Sequence, residues 1–163
     1  MNVYFIRHSE AEPAGGGRPD SERPLSCEGE KKISASLPGI FKLAGQLDYI
    51  LTSPAARAAQ TAYLIAAHQK CRNFVFEMPE LAAPGSEIAV DTMLNKLIGK
   101  ENVAVVGHQP YLTELVGYFT GMPPEESISI DKGGMIKVSF KGFPGKGAGK
   151  MRWSMSQDDL IKV

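Results

Sequence analysis

Four side chains suited to phosphate chemistry stand shortly after apolar runs of the sequence. Arg7 and His8 follow one such run, Arg57 lies shortly beyond a second, and His108 comes almost directly after a third. Arginine guanidinium groups match phosphate oxygens with two parallel hydrogen bonds and keep their charge at any relevant pH. A histidine beside such an anion site can act as base, acid or nucleophile. These residue types therefore predict a phosphate-handling site in which His8 acts as base, acid or nucleophile.

The charges of the two arginines suit this chemistry. Neighbouring guanidinium groups disfavour the protonated form of His8, so a ring nitrogen stays free until the substrate arrives. The phosphoryl group then neutralises the positive cluster, and in the transition state the same groups hold its three equatorial oxygens. This mechanism requires no metal ion, and two histidines without nearby paired carboxylates or cysteines make a poor zinc site. We therefore expect no metal and no cofactor.

Each of these signals, taken alone, also has a simpler interpretation. An Arg-His pair after a strand is often a solvated strand end, and Ser-Pro before a helix is a common helix start. Gly107-His108 is also typical of a turn with a satisfied imidazole. The placement of all three signals on one sheet edge favours the active-site interpretation. We assign no role to His68, which falls late in a predicted helix, where a surface histidine is favoured.

The elements that must position these residues follow from the apolar patterns and the breakers. β-Branched and aromatic runs predict strands at 2–6, 48–52, 73–76 and 102–106, and alternation predicts a final hairpin of 136–140 and 151–155. Predicted helices begin after Ser26, at Ser53-Pro54, after Ser86 and after Pro110. Pro38-Gly39 predicts a kink or a division of the first helix, which ends near Gly45.

The sequence also predicts a mobile loop and the apolar face of one helix. Residues 9–24 contain three consecutive glycines, three prolines and several charges, which is typical of a mobile loop. The helix after Ser86 is predicted to carry its apolar residues on one side, namely Ile88, Val90, Met93, Leu94, Leu97 and Ile98.

Alternating strands and helices followed by a hairpin predict one domain at 1–163. Its expected architecture is a three-layer α/β/α sandwich with a mostly parallel central sheet and an antiparallel edge. Ligands of such sheets bind beyond the carboxyl ends of the strands. The residues that follow the first, second and fourth strands are therefore expected to meet at one edge.

Composition narrows the class of protein further. Eighteen basic and eighteen acidic residues leave no net charge, which argues against a nucleic-acid binder. No segment has the length of a membrane span or the pattern of a signal peptide. Cys27 and Cys71 are unclustered, so we interpret them as ordinary thiols of a reducing compartment. We expect a cytoplasmic protein that binds neither nucleic acid nor membranes.

These motifs resemble those of the histidine phosphatase superfamily, which includes phosphoglycerate mutases and acid phosphatases. Arg7-His8 is similar to its RHG motif, SPAARAAQTA at 53–62 to its second phosphate-binding segment, and GHQP at 107–110 to the segment of its second catalytic histidine. RPLSCEG at 23–29, PELAAPG at 79–85 and the chain length resemble SixA-like phosphohistidine phosphatases. The resemblance spans residues 1 to about 155 and implies a phosphoglycerate mutase-like fold.

The resemblance also implies roles for individual residues. His8 would accept the phosphoryl group, with Arg7, Arg57 and His108 around it. Ser9 stands where the superfamily usually has glycine, and its hydroxyl near the phosphate is expected to alter rate or substrate preference.

A general acid is the part of the mechanism that these motifs define least. Glu80 is the nearest candidate, with Glu10 and Glu87 behind it. A loop or cap contact explains Glu80 equally well. An alkoxide leaving group needs a proton, whereas an imidazole leaving group needs less help.

The favoured function is a metal-independent phosphatase that works through phospho-His8 and acts on phosphohistidine in proteins, such as a histidine-containing phosphotransfer domain. The sequence has no inserted cap domain, which suits a bulky substrate. One alternative is the same chemistry on a small phosphorylated metabolite, with Glu80 as the acid. Another is a non-catalytic phosphate-binding interaction module, although such modules usually lose the nucleophile. A mutase is less favoured, because the chain is short for a second phosphate site.

Overall fold

The computed structural model of the protein describes residues 1–69, 74–82, 84–123 and 128–163. Its strands are β1 (Asn2–Arg7), β2 (Tyr49–Thr52), β3 (Val75–Glu77), β4 (Asn102–Gly107), β5 (Met135–Phe140) and β6 (Gly149–Met155). Its helices are α1 (Cys27–Ala44), α2 (Ala56–His68), α3 (Glu87–Lys96), α4 (Tyr111–Thr120) and α5 (Gln157–Lys162). Short 3₁₀ helices cover Asp20–Glu22 and Pro79–Leu81. Within the described ranges, no helix combines the length and the apolar character needed to cross a membrane.

The six strands form one sheet in the order β3-β2-β4-β1-β5-β6. The first four strands in this order run parallel, and β5 and β6 form an antiparallel edge. Arg7 on β1 pairs with Gly107 on β4, and Val106 on β4 pairs with Thr52 on β2. The three strands that lead into the predicted site residues are therefore neighbours. The predicted sandwich with a mostly parallel sheet and an antiparallel edge is confirmed.

Alternate residues of the strands supply two cores, one on each face of the sheet. Val3 and Phe5 pack with residues of α3 and α4, whereas Tyr4 and Ile6 pack with residues of α1, α2 and α5. This division follows from the two-residue period of a strand. Burial of each large apolar side chain stabilises the fold by about 1.5–3 kcal/mol, so the central strands are a rigid base for the loops beyond them.

The sequence predicted either a kink at Pro38-Gly39 or a division into two pieces. Helix α1 continues through Pro38 as one helix, so the division is wrong. Leu37 and Ile40, on either side of the proline, are both buried in the same core. Gly39 allows α5 to approach closely, because a Cβ atom there would overlap the backbone carbonyl of Leu160. This packing outweighs the backbone hydrogen bond that a proline removes.

Three of the four predicted helix starts are correct, those after Ser26, Ser86 and Pro110, and the start at Ser53-Pro54 is not. Ser26 and Ser86 accept hydrogen bonds from the backbone N–H groups of the first turns of α1 and α3. Ser53 does not cap α2, which begins at Ala56 with Ala55 as its N-cap residue. The Ser53 side chain instead contacts a residue far along the chain, and a local start signal cannot reveal such a partner.

The apolar face of α3 is narrower than the sequence predicts. Val90 and Leu94 are fully buried, but Ile88 is 72% exposed and Ile98 44% exposed. Only the stripe that contains Val90 and Leu94 packs into the core. Helix α5 was not predicted, because its six residues are too few to show a periodic pattern. Residue 73 of the predicted third strand, and Cys71, lie outside the described residues.

Candidate active site

The site lies beyond the carboxyl ends of β1, β2 and β4, as the sequence predicted. The backbone N–H of His8 donates to the carbonyl of Gly107 at 3.1 Å, and that of Ser53 donates to Val106 at 3.0 Å. These bonds continue the sheet pairing one residue past the strands. The backbone at His8 and at Ser53 is therefore held by the adjoining β4.

His8 is buried and held in one orientation. It is 7% exposed, and its Nδ1 lies 2.7 Å from the carbonyl oxygen of Ser9. Because a carbonyl oxygen only accepts, Nδ1 carries the proton and Nε2 keeps its lone pair. Arg57 Nε donates to that Nε2 at 3.2 Å. Burial, and then the charges of Arg57 and Arg7, lower the pKa of His8 to about 4, so the ring is neutral at neutral pH.

His108 lies beside His8, with 5.1 Å between the ring centroids. Its Nε2 is 2.8 Å from the hydroxyl oxygen of Ser53. Its Nδ1 is buried and has no hydrogen-bond partner among the described residues. Burial, followed by the charges of His8 and Arg57, lowers the pKa of His108 to about 3. Two neutral imidazoles therefore face each other in the site.

Arg57 lies in the first turn of α2 and is 8% exposed. Besides the bond to His8, its Nη1 donates to the backbone carbonyl of Asp20 at 2.6 Å, and its Nη2 donates to Asp20 Oδ2 at 2.9 Å. Asp20 Oδ1 accepts from Arg23 Nε at 3.0 Å and from Arg23 Nη2 at 2.8 Å. These hydrogen bonds from Arg23 and Arg57 lower the pKa of Asp20, which is therefore ionised at neutral pH.

Sequence reasoning assigned no site role to Asp20, Arg23 or Ser53. Arg23 belongs to the RPLSCEG segment, so the resemblance of that motif was a signal for it. Ser53 begins the SPAARAAQTA segment but was interpreted as a helix cap. No pattern in the loop around Asp20 singles out that residue.

The Arg7 side chain makes a hydrogen bond through one nitrogen, and a second, buried nitrogen has no partner among the described residues. Its Nη1 donates to the carbonyl of Ile130 at 3.0 Å. Its Nε is buried and finds no partner in the part of the chain that the structure describes. A buried unpaired donor costs about 1–3 kcal/mol. An anion that enters the site and accepts from this Nε would remove that cost.

The Ser9 hydroxyl is occupied by partners outside the histidine pair. It donates to the carbonyl of Gly29 at 3.0 Å and accepts from Gln157 Nε2 at 3.0 Å. Ser9 is fully buried and Gln157 is 6% exposed. The residue that departs from the RHG motif therefore links the loop after β1 to α1 and to α5.

The three candidate acids make no hydrogen bond or ion pair with His8, Arg57 or His108 among the described residues. Glu80 is exposed on the second 3₁₀ helix, and its carboxylate makes no hydrogen bond or ion pair with any described residue. Glu10 forms an ion pair with Lys132 at 2.6 Å. Glu87 lies in the first turn of α3. The structure thus joins His8 and Arg57 by a hydrogen bond and places His108 beside them, whereas an acid role for Glu80 stays a prediction.

Comparisons with known proteins agree with this geometry. Residues 3–82 match the model of the histidine phosphatase superfamily, branch 1. An uncharacterized protein of Picosynechococcus is 31% identical over 139 residues, which are 83% of this chain and 83% of that protein. The structure of the protein histidine phosphatase SixA complexed with tungstate is similar with a TM-score of 0.81 and 26% identity, over 98% of this chain and 99% of that chain. A mutant phosphoserine phosphatase from Entamoeba histolytica in complex with phosphoserine shares the fold, with a TM-score of 0.74, 15% identity and 98% of each chain covered.

Proposed function

The chain belongs to the histidine phosphatase superfamily and is a phosphatase, and we propose that it works through a covalent phospho-His8 intermediate, with phosphohistidine in proteins as its favoured substrate. The orientation of His8 carries the proposal. Its Nδ1–H is held by the Ser9 carbonyl at 2.7 Å, which leaves Nε2 unprotonated beside the guanidinium of Arg57. A fixed, neutral imidazole next to an anion-binding arginine is a prepared nucleophile for phosphorus.

The reaction takes two displacements. His8 Nε2 attacks the phosphorus, the new N–P bond forms, and the bond to the leaving group breaks with its electron pair going to that group. Arg7 and Arg57 hold the phosphoryl oxygens and balance their charge. Water then attacks phospho-His8, which releases inorganic phosphate and restores the neutral ring. The positive charge comes from arginines, so we propose a metal-independent reaction that chelators leave unchanged.

His108 is proposed to donate to the phosphoryl group. The Ser53 hydroxyl oxygen accepts from the backbone N–H of Ala55 at 3.3 Å, and we propose that the hydroxyl donates its own hydrogen to His108 Nε2 at 2.8 Å. In this arrangement Nδ1 of His108 carries the proton. That unpaired Nδ1–H is then a donor for a phosphoryl oxygen once substrate is bound.

Phosphohistidine is favoured over a phosphomonoester because the carboxylate that the described residues place on Arg57 is a poor proton donor. The carboxylate bound to Arg57 belongs to Asp20, and hydrogen bonds from two arginines lower its pKa. Such a group stays ionised at neutral pH and protonates a leaving alkoxide poorly. An imidazole leaves more readily, so it suits this site. The likeness to the SixA structure, at 26% identity over nearly the whole of both chains, supports the same substrate class.

The substrate proposal is tested by comparing rates on two kinds of substrate. We expect the purified chain to dephosphorylate phosphohistidine on a histidine-containing phosphotransfer domain with a kcat/KM at least about 100-fold above that on phosphoserine or a sugar phosphate. Rapid hydrolysis of the small esters with no action on the phosphorylated domain would contradict the proposal.

A small phosphomonoester is the second candidate substrate, and one observation favours it. Glu80 follows β3, at the same end of the sheet as the site, and its carboxylate is unpaired among the described residues. If Glu80 were the general acid, Glu80→Gln would lower kcat on alkyl phosphates by about 100-fold or more. We expect a change of less than about threefold. The matched control is Glu101→Gln, at an exposed residue directly before β4 and so at the opposite end of the sheet.

We further propose that the protein is cytosolic and acts on a protein partner, without nucleic acid or membrane. Cys27 is exposed and unpaired, which suits a reducing compartment. The balance of eighteen basic and eighteen acidic residues gives a polyanion no general attraction to the surface.

A further inference from the structure

Arg57 presents a two-pronged donor, and an acidic side chain occupies one prong. The Nε–H and one Nη2–H of a guanidinium point in the same direction, which is the geometry that binds phosphate through two hydrogen bonds. Here Nε donates to His8 Nε2 at 3.2 Å and Nη2 donates to Asp20 Oδ2 at 2.9 Å. A carboxylate oxygen therefore lies next to the nucleophilic nitrogen, in the place that a phosphoryl oxygen would take on this arginine.

We propose that Asp20 is an internal ligand of the phosphate subsite and that its displacement sets the affinity of the site for phosphoryl groups. The proposal rests on the assignment of Arg57 to phosphate binding in the proposed function. The Asp20 carboxylate neutralises Arg57 in this structure. A phosphoryl group binds only after the carboxylate has left, because both anions need the same donor. The affinity of the site is reduced by the fraction of molecules in which Asp20 is bound.

The contacts of Asp20 allow its side chain to move while its backbone stays in place. The Asp20 side chain is 63% exposed, whereas that of Arg57 is 10% exposed. Arg57 Nη1 also donates to the backbone carbonyl of Asp20 at 2.6 Å, and a side-chain rotation does not disturb that bond. Arg23 holds the other carboxylate oxygen through two donors, at 2.8 and 3.0 Å. The displaced carboxylate therefore keeps a cationic partner.

The loop that carries Asp20 is fixed at its base and open at its tip. Ala11 pairs with Leu25, and the N–H of Glu12 donates to the carbonyl of Pro24 at 3.0 Å. At the tip, the glycines at 15–17 all have positive φ, with open space where a side chain would stand. Glycine adopts such conformations readily, so the tip can change its backbone angles at little cost.

Tungstate binding to the full chain tests the proposal, since tungstate is a phosphate analogue and is the anion bound in the SixA structure. Calorimetric titration should show Asp20→Asn binding tungstate about five- to tenfold tighter than the wild type. The matched control is Glu22→Gln, which removes the same charge from the same 3₁₀ helix. We expect its affinity to stay within about twofold of the wild type.

Three results would overturn the proposal. They are an unchanged or weaker affinity in Asp20→Asn, an equal gain in Glu22→Gln, and a loss of kcat in Asp20→Asn without tighter tungstate binding. The last result would make Asp20 a catalytic group instead. Asp20→Ala, which also removes the carboxylate, should repeat the gain.

Failure of this proposal is distinguishable from failure of the proposed function. Tungstate binding does not require turnover, so a gain in Asp20→Asn together with no phosphohistidine hydrolysis would contradict only the function. Hydrolysis of phosphohistidine with no gain in tungstate affinity would contradict only the role of Asp20.

Discussion

At the residue scale, the sequence predicts which side chains could bind or attack a phosphoryl group. Arg7, His8, Arg57 and His108 stand out because few residue types can bind or attack a phosphoryl group. The role of Ser53 was not predictable, since a serine before proline is a normal helix start and its imidazole partner is 55 positions away. Local patterns report on neighbours in the chain, and they do not report on which distant groups complete a hydrogen bond.

The two histidines of the site should make stability depend on pH. Their pKa values fall from 6.5 in the unfolded chain to about 4 for His8 and about 3 for His108 in the folded chain, chiefly because burial disfavours the charged ring. Between pH 6.5 and about 4 the unfolded chain binds more protons. The free energy of unfolding should therefore fall as the pH is lowered through that window, by a few kcal/mol.

Urea unfolding at pH 7 and pH 4.5 measures this dependence. His8→Asn removes one of the two groups, so its stability should fall less between the two pH values than that of the wild type. His68→Asn is the matched control, because His68 is exposed and outside the site. An equal fall in wild type and His8→Asn would show that burial of His8 has no such effect.

At the element scale, packing between helices determined features that hydrophobic periodicity does not predict. Pro38 predicted a kink or a division of α1, but apolar residues on both sides of it are buried in one core and α1 remains one helix. Helix α5 was missed because six residues carry no clear period. It matters for the site all the same, since its first residue, Gln157, reaches Ser9 beside the nucleophile.

Gln157→Ala should destabilise the protein by about 1–3 kcal/mol. The substitution removes the Gln157 amide that donates to the Ser9 hydroxyl at 3.0 Å, and it leaves a void against Gly133, where a Cβ would overlap that amide. Urea unfolding of Gln157→Ala beside Asp158→Asn, an exposed neighbour on the same helix, measures the effect. Equal stabilities of the two variants would show that the contact contributes nothing.

At the scale of the whole molecule, the parallel sheet explains why the candidate site residues, far apart in the sequence, were expected at one edge. Strands β2, β4 and β1 are adjacent and parallel, so the residues after them lie at one edge of the sheet irrespective of the loop conformations. The prediction needed only the direction of the strands, and direction follows from the alternation with helices. The position of the loop at 9–24 over Arg57 was not predictable, because it depends on contacts between Asp20 and a helix that follows later in the chain.

The central claim is that His8 carries the phosphoryl group during turnover. The direct measurement is rapid mixing with a phosphohistidine protein labelled with radioactive phosphate, followed by denaturation at alkaline pH, which preserves the P–N bond. We predict label on the wild type and on His68→Ala, and neither label nor hydrolysis with His8→Ala. Label or undiminished hydrolysis with a folded His8→Ala would contradict the account.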